Sequence, residues 1–223
     1  MKTRIYLILL PLSIVILSTS LNAQDTESWK TETEFALVFG LSQPLALNGF
    51  NAEINYIHNR FIFGYSHGVS LDFGAGLVPD YLDDQGVIAH MPFSTGFGLG
   101  YRFYDWLNLR IEPKWHRFEF YYNDEAQTSD NRITTDANNI SIGIGLYGLF
   151  KPFRKLDNTL QGITIAPSIR FWPTIISDFE DRSYSYQNKF TGQTEEIKTP
   201  HSGIDFSPFL INVSVGYSFN IRN

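Results

Sequence analysis

The chain has 223 residues, with 17 Lys+Arg against 23 Asp+Glu for a formal charge of −6, no cysteine, and 16% aromatic residues. That acidic balance argues against a nucleic-acid-binding surface, and the lack of cysteine excludes disulfides, thiolate metal sites and a lipid-modified cysteine anchor. A mean hydropathy of −0.14, with no apolar run near the ~18 residues of a spanning helix beyond the N-terminal segment, excludes a helical membrane protein but not a β-barrel, whose strands are apolar on one face only.

Met1-Lys2-Thr3-Arg4, the apolar run from Ile5 to Leu17 and Leu21-Asn22-Ala23 before Gln24 read as a positive n-region, an h-region and a small-residue cleavage site. They predict a secretory signal peptide over 1–23, cut after Ala23. A retained anchor is disfavoured because the run falls short of the roughly 20 residues of a spanning helix and contains Pro11. Removing Lys2 and Arg4 takes away no acid, so the charge moves from −6 to −8, 15 Lys+Arg against 23 Asp+Glu. Residues 24–32 then form a short periplasmic N-terminal segment and 33–223 a single domain.

From there the chain alternates. Phe35, Leu37, Phe39 and Leu41 share a face in a first strand near 33–43. Ala52, Ile54 and Tyr56 oppose Glu53 and Asn55 in a second, from Phe50 to Ile57. His58-Asn59-Arg60 makes a tight turn into a third strand, Phe61 to about Leu71. Gly, Pro and Asp residues from Asp72 to Gly86 mark a loop. A fourth strand, about 88–103, sets Phe93, Thr95, Phe97, Leu99, Tyr101 and Phe103 against Ser94, Gly96, Gly98, Gly100 and Arg102. Such period-two alternation is the signature of a strand with two unlike faces.

After the turn Tyr104-Asp105-Trp106, the fifth strand, about 107–121, puts Leu107, Leu109, Ile111 and Trp115 on one side and Arg110, Glu112, Lys114 and His116 on the other. Beyond His116, Phe118 and Phe120 alternate with Arg117 and Glu119 in the opposite sense, which predicts a bulge or a strand that has left the membrane. The polar run 123–136 is a loop. A sixth strand follows at 137–150 and, after 151–162, a seventh at about 163–177. The segment from Asp178 to Ser207 shows no core-forming pattern. An eighth strand, about 206–221, sets Ile211, Val213, Val215, Tyr217, Phe219 and Ile221 against Asn212, Ser214, Gly216, Ser218 and Asn220.

These elements predict an all-β fold, an eight-stranded antiparallel up-and-down transmembrane β-barrel, with short turns at one end and long loops (72–87, 123–136, 178–205) at the other. Residue size decides which face is inside. An eight-stranded barrel has room only for side chains that fill it, so the face of Gly, Ser and Asn points inward and the bulky face meets lipid, whereas a soluble barrel would overfill. Two aromatic girdles are expected: Phe93, Trp115 and Phe171 toward the loops, and Tyr101, Phe103, Trp106, Phe150, Phe153, Tyr217 and Phe219 toward the turns. Pro113, Pro167 and Pro173 lie inside strands and predict bulges.

Over 33–221 this pattern resembles the small outer-membrane β-barrel domain family of Gram-negative bacteria, the porin-like and OmpA-like eight-stranded proteins. Its most specific part is Ile211-Asn212-Val213-Ser214-Val215-Gly216-Tyr217-Ser218-Phe219, similar to the C-terminal strand signal read by the barrel assembly machinery. In that family the signal ends on its aromatic residue, whereas here Asn220-Ile221-Arg222-Asn223 follow. The resemblance implies an outer-membrane location and no cofactor. It also implies contact with outer-membrane lipid, with periplasmic chaperones and the assembly machinery during biogenesis, and with an unknown extracellular ligand at the loops.

Glu53, Arg102, Arg110, Glu112, Lys114, His116 and Arg170 are the candidate lumen network, with Glu112 relaying between Arg110 and Lys114 and glycines of strand four making room. Buried charges need partners, so a structural plug is the first reading and a narrow ion path the second. His67 with Ser70 and His201 with Ser202 invite comparison with lipid-modifying barrel enzymes, but neither pair carries a recognisable motif. Asp80, Asp83 and Asp84, with Asp124, Glu125 and Asp130, lack regular cation-loop spacing and read as solvated acidic loops. The expected function is a non-enzymatic outer-membrane barrel with a plugged polar lumen, acting in envelope structure or in binding through its loops.

Overall fold

The structure, a computed structural model, describes residues 30, 33–74, 76–134, 137–180, 183–198, 200–203 and 206–221. The expected signal peptide and most of 24–32 lie outside the described residues. The strands are β1 (Thr33–Gly40), β2 (Phe50–His58), β3 (Phe61–Phe73), β4 (Val87–Arg102), β5 (Leu107–Tyr122), β6 (Ala137–Gly148), β7 (Ile163–Phe171), β8 (Thr174–Ser177), β9 (Ser183–Gln187), β10 (Thr194–Lys198) and β11 (Phe209–Asn220). Single helical turns α1 (Ser42–Ala46) and α2 (Asp80–Asp84) sit in the connections.

Antiparallel pairing runs β5-β4-β3-β2-β1-β11-β7-β6, and β5 also pairs with β6, so the ladder closes. β8 pairs with β6 beyond the β7 contact and continues the β7 position in the wall. The barrel therefore has eight wall positions, and closure leaves it no edge.

The inward face is polar and small. Asn51, Glu53 and Asn55 on β2, Asn108 to His116 at even positions on β5, Asn139 and Ser141 on β6 and Asn212 and Ser214 on β11 are all buried, while Phe97 is 69% exposed and Ile169 62% exposed on the outer wall. A closed ladder with its polar groups inside and its large apolar groups outside is stable only in an apolar solvent.

Along β4, ten residues separate Phe93 from Phe103. At about 3.4 Å per residue and a tilt of about 40° they span roughly 26 Å, matching the approximately 25 Å apolar band of an outer-membrane barrel.

Above this band the two faces exchange chemistry. Phe118, Phe120 and Tyr122 continue the inward phase of His116, and Val87, Ala89 and Met91 face them from β4. All six are buried, while the outward positions are Arg117, Glu119 and Tyr121 on β5 and His90 on β4. β5 does not change phase: its register with β6 runs unbroken from Leu107 to Phe118. The apparent inversion in sequence is a change of surroundings, from lipid outside and polar lumen inside to a polar, protein-covered outer face, where Glu119 pairs with Arg117 and Arg132, and an apolar core inside. A bulge accompanies it on β4, where the register with β5 shifts between His90 and Phe93 at Pro92.

Only one of the three expected proline bulges forms. Pro113 sits opposite Ile142 in the unbroken β5–β6 ladder, and on the β4 side Gly96 with Lys114 and Leu99 with Ile111 keep one register across it. Pro167 pairs with Val213 without a shift. These prolines drop a donor but insert no residue. At Pro173 the wall does break: the β6 register shifts between Ile140 and Ser141, splitting the expected strand 163–177 into β7 and β8. β3 extends to Phe73 and, after Ser70 with its φ of 54°, turns Leu71 and Phe73 inward.

Candidate functional site: a polar lumen under an apolar cap

Mid-lumen, β2, β5, β6 and β7 converge. The Arg110 guanidinium (Nη1) donates to Glu53 Oε1 at 2.5 Å and to Asn55 Oδ1 at 2.7 Å, and its Nε donates to Asn108 Oδ1 at 2.7 Å. Asn55 returns a bond to Glu53 Oε1 at 2.8 Å. Gly64 and Gly100 face this group, and a Cβ at Gly100 would lie 2.9 Å from Arg110 Cγ, so glycines clear space for the long side chain.

Glu112 does not relay between Arg110 and Lys114 as its spacing suggested. Its Oε2 accepts from the Tyr147 hydroxyl at 2.5 Å, while Arg110 turns to Glu53 and Lys114 to the Trp172 ring. Tyr147 lies between two cations, with Arg110 Cζ 4.3 Å and Arg170 Cζ 4.9 Å from its ring centre. Lys114 Nζ lies 4.3 Å from the centre of the Trp172 ring, and Arg170 donates its Nε to Ser168 at 3.0 Å.

Arg102 stands apart from this group. At the turn end it donates to Asp105 Oδ1 at 3.0 Å and to the Asp105 carbonyl at 2.9 Å, beside the pairs Arg154–Asp105 and Lys151–Glu34.

His116 marks the upper limit of the polar lumen. Its Nε2 is 2.6 Å from Ser141 Oγ and 3.2 Å from Ser202 Oγ, and its ring meets Trp172 and Phe118. Ser202 thus partners His116 and not its neighbour His201, whose Nδ1 accepts from the Thr174 amide. His116 Nδ1 is buried without a hydrogen-bond partner, so no carboxylate orients this ring as an acyl-transfer base requires. Among the described residues no group of three or more His, Asp or Glu is placed to hold a metal.

Above His116 lies one apolar core. Phe118, Phe120 and Tyr122 of β5, with Leu71, Phe73, Val87, Ala89, Met91 and Ala137, pack against Val78 and Leu82 from the β3–β4 connection and Phe179, Tyr186, Ile197 and Phe206 from the β8–β11 connection. Segment 178–207, read as a loop without a core-forming pattern, carries core residues nonetheless: its β9–β10 hairpin pairs from Ser183 with Lys198 to Gln187 with Thr194 and puts Tyr186 and Ile197 in the apolar core at the barrel mouth. The hairpin meets the β3–β4 connection at Tyr186 Oη, whose one hydroxyl proton has two acceptors in reach, Gln85 Oε1 and Glu195 Oε2, each at 3.0 Å. Beside it a cleft of about 370 Å³ opens between Tyr122, Arg132, Tyr184, Tyr186 and Lys189. Asp80 to Asp84 form α2, and Glu125 pairs with Lys189.

Aromatic side chains pair on the outer wall in mid-belt, as Tyr65 with Phe97 at 5.4 Å, and at both of its ends. Toward the cap, Phe93 meets Trp115 and Phe171 meets Phe209 at 5.1 Å. Toward the turns, Tyr101 meets Phe103 at 5.5 Å, Trp106 stacks on Phe150 at 5.3 Å and Tyr217 meets Phe219 at 4.7 Å. The outward side chains Ile211, Val213, Val215, Tyr217 and Phe219 of β11 join this wall, between β7 and β1. Sequence reasoning missed Tyr147, Trp172, Asn55 and Asn108. Tyr147 had a visible signal, as the one large side chain in the inward series Asn139, Ser141, Gly143, Gly145.

The closed ladder, with its polar interior and its exposed apolar wall, makes this an outer-membrane β-barrel. No family model matches the chain, and no curated protein matches it. Among solved structures it is similar to Ail, the attachment invasion locus protein of Yersinia pestis, at 12% identity over 85% of this chain and 100% of that one with a TM-score of 0.41. A second structure of that protein, in complex with the heparin analogue sucrose octasulfate, matches at 11% identity over the same shares with a TM-score of 0.38. A major outer membrane protein from Thermus thermophilus matches at 10% identity over 84% of this chain and 98% of that one, with a TM-score of 0.42.

Proposed function

We propose that this chain is a non-enzymatic, non-conducting barrel whose working surface is the folded extracellular cap, serving envelope structure or binding an extracellular ligand. The observation that carries this reading is the apolar core across the barrel mouth: among the described residues, Phe118, Phe120, Tyr122, Phe179, Tyr186, Ile197 and Phe206 interrupt the polar column that a hydrated ion would follow. A hydrophobic constriction closes a pore by dewetting it, and here the polar column ends at His116 beneath such an apolar layer. The cleft beside Tyr122, Tyr184 and Tyr186 gives the cap a concave polar and aromatic surface, as binding sites on rigid scaffolds have.

In this reading the partners are outer-membrane lipid around the belt, periplasmic chaperones during export, the assembly machinery through β11, and a ligand at the cap. Planar-bilayer recording of the purified, folded barrel tests it. The expected trace shows no unitary conductance, and sustained steps from the unaltered protein would overturn the reading in favour of a pore.

A further inference from the structure

We propose that the lumen binds one small monovalent inorganic anion between Lys114 and Arg170, beneath Trp172. The buried mid-lumen groups are three cations, Arg110, Lys114 and Arg170, and two carboxylates, Glu53 and Glu112. Arg110 has Glu53 to itself, at 2.5 Å. The other two cations share what is left. Among the described residues neither makes an ion pair: Lys114 meets only the face of Trp172, and Arg170 donates Nε to Ser168 and otherwise lies over the Tyr147 and Trp172 rings. The remaining carboxylate, Glu112, has one oxygen occupied by Tyr147. The Trp172 indole N–H, packed against Gly143, is also buried without an acceptor. The neighbourhood is therefore rich in donors and short of negative charge.

Contact with aromatic faces offsets only part of what it takes to hold an ammonium and a guanidinium away from water. One negative charge placed between them balances the group. The space limits its size. A Cβ at Gly98 would lie 3.3 Å from Glu112 Oε1, and one at Gly145 would lie 3.0 Å from Arg170 Cγ. The glycines are thus already covered by the charged side chains, so an ion held between Lys114 and Arg170 has to be small, and a phosphate or an organic acid is too large.

Bromide is the probe. The chain has four tryptophans, and Trp29→Phe, Trp106→Phe and Trp115→Phe together leave Trp172 as the reporter. The protein is folded into detergent with bromide present, so that the cap imposes no entry barrier. The expected result is saturable quenching of Trp172 emission, competed by chloride and weakened at least tenfold by Lys114→Met. Saturable quenching that survives Lys114→Met would overturn the proposal, as would a purely linear response in the parent. Crystals of the unsubstituted protein grown in bromide give the second measurement, which does not depend on the variants folding. An anomalous peak in contact with Lys114 and Arg170 is expected, and its absence means that ordered water alone solvates the two cations.

Discussion

Phe93 and Trp115 meet edge to face across β4 and β5, ring centroids 4.9 Å apart and planes at 80°, just below the level where the barrel wall passes from lipid into water. Two residues on, the same outward face presents Arg117. If this pair marks the lipid boundary, Trp115 emission in a protein carrying Trp29→Phe, Trp106→Phe and Trp172→Phe will be quenched most by lipids brominated near the glycerol and less by lipids brominated near the chain ends. Equal quenching at all depths would place the boundary elsewhere.

Glu53 is the carboxylate on which Arg110 depends. Glu53→Gln leaves a buried guanidinium without its counter-charge, for which about 3–5 kcal/mol of destabilisation is expected. Glu112→Gln is expected to cost less, since an amide oxygen still accepts from Tyr147. Urea unfolding of the barrel in detergent, followed by gel mobility, reads both. A Glu112→Gln loss as large as that of Glu53→Gln would show that Glu112 carries more of the network than its one hydrogen bond indicates.

Phe120 is fully buried in the cap core, within 6.3 Å of Phe179 and 6.5 Å of Phe206 by ring centroids. Phe120→Ala opens a cavity worth about 3–5 kcal/mol, and its effect should stay above the membrane. Limited proteolysis of intact cells is expected to cut the segment 178–208 many times faster than in the parent, with the heat-modifiable mobility of the barrel unchanged. Loss of that mobility shift would mean that cap and wall fold as one unit.

Tyr186 gives the cap a dependence on pH. Burial raises its pKa above the ordinary tyrosine value, and the hydrogen bond to Glu195 raises it further. The folded cap therefore holds the proton more tightly than the unfolded chain, so stability falls as pH rises past the unfolded value of about 10 and is fully present below it. Proteolytic protection of 178–208 should be flat from neutral pH to about 9.5 and decline above it. Tyr186→Phe should flatten that decline, and an unchanged alkaline slope in this variant would assign the effect to other groups.

The belt and the strand count were legible in the sequence because lipid imposes a strict period of two on every wall position, as in Phe93 to Phe103. The lumen residues were legible for the same reason, since Arg110, Glu112, Lys114 and His116 can point only inward. Their partners were not, because Glu53 to Arg110 and Tyr147 to Glu112 join residues 57 and 35 positions apart, a relation fixed by register and closure. The cap was hidden for a different reason. Tyr186, Ile197 and Phe206 are single apolar residues in a polar stretch, each buried by a core that the barrel rim supplies, so no local periodicity announces them. The phase change after His116 was the one visible trace of that rim, and of the two readings it allowed, a bulge or a strand that has left the membrane, the unbroken β5–β6 register selects the second.

The unbroken β5 ladder, which carries one register from Leu107 to Phe118 and one inward face on to Tyr122, makes the wall a rigid stalk. Six residues from His116 to Tyr122 raise the cap by roughly 15 Å along the membrane normal. If the cap is the working surface proposed above, a ligand docks at about that stand-off from the membrane, in an orientation set by the wall.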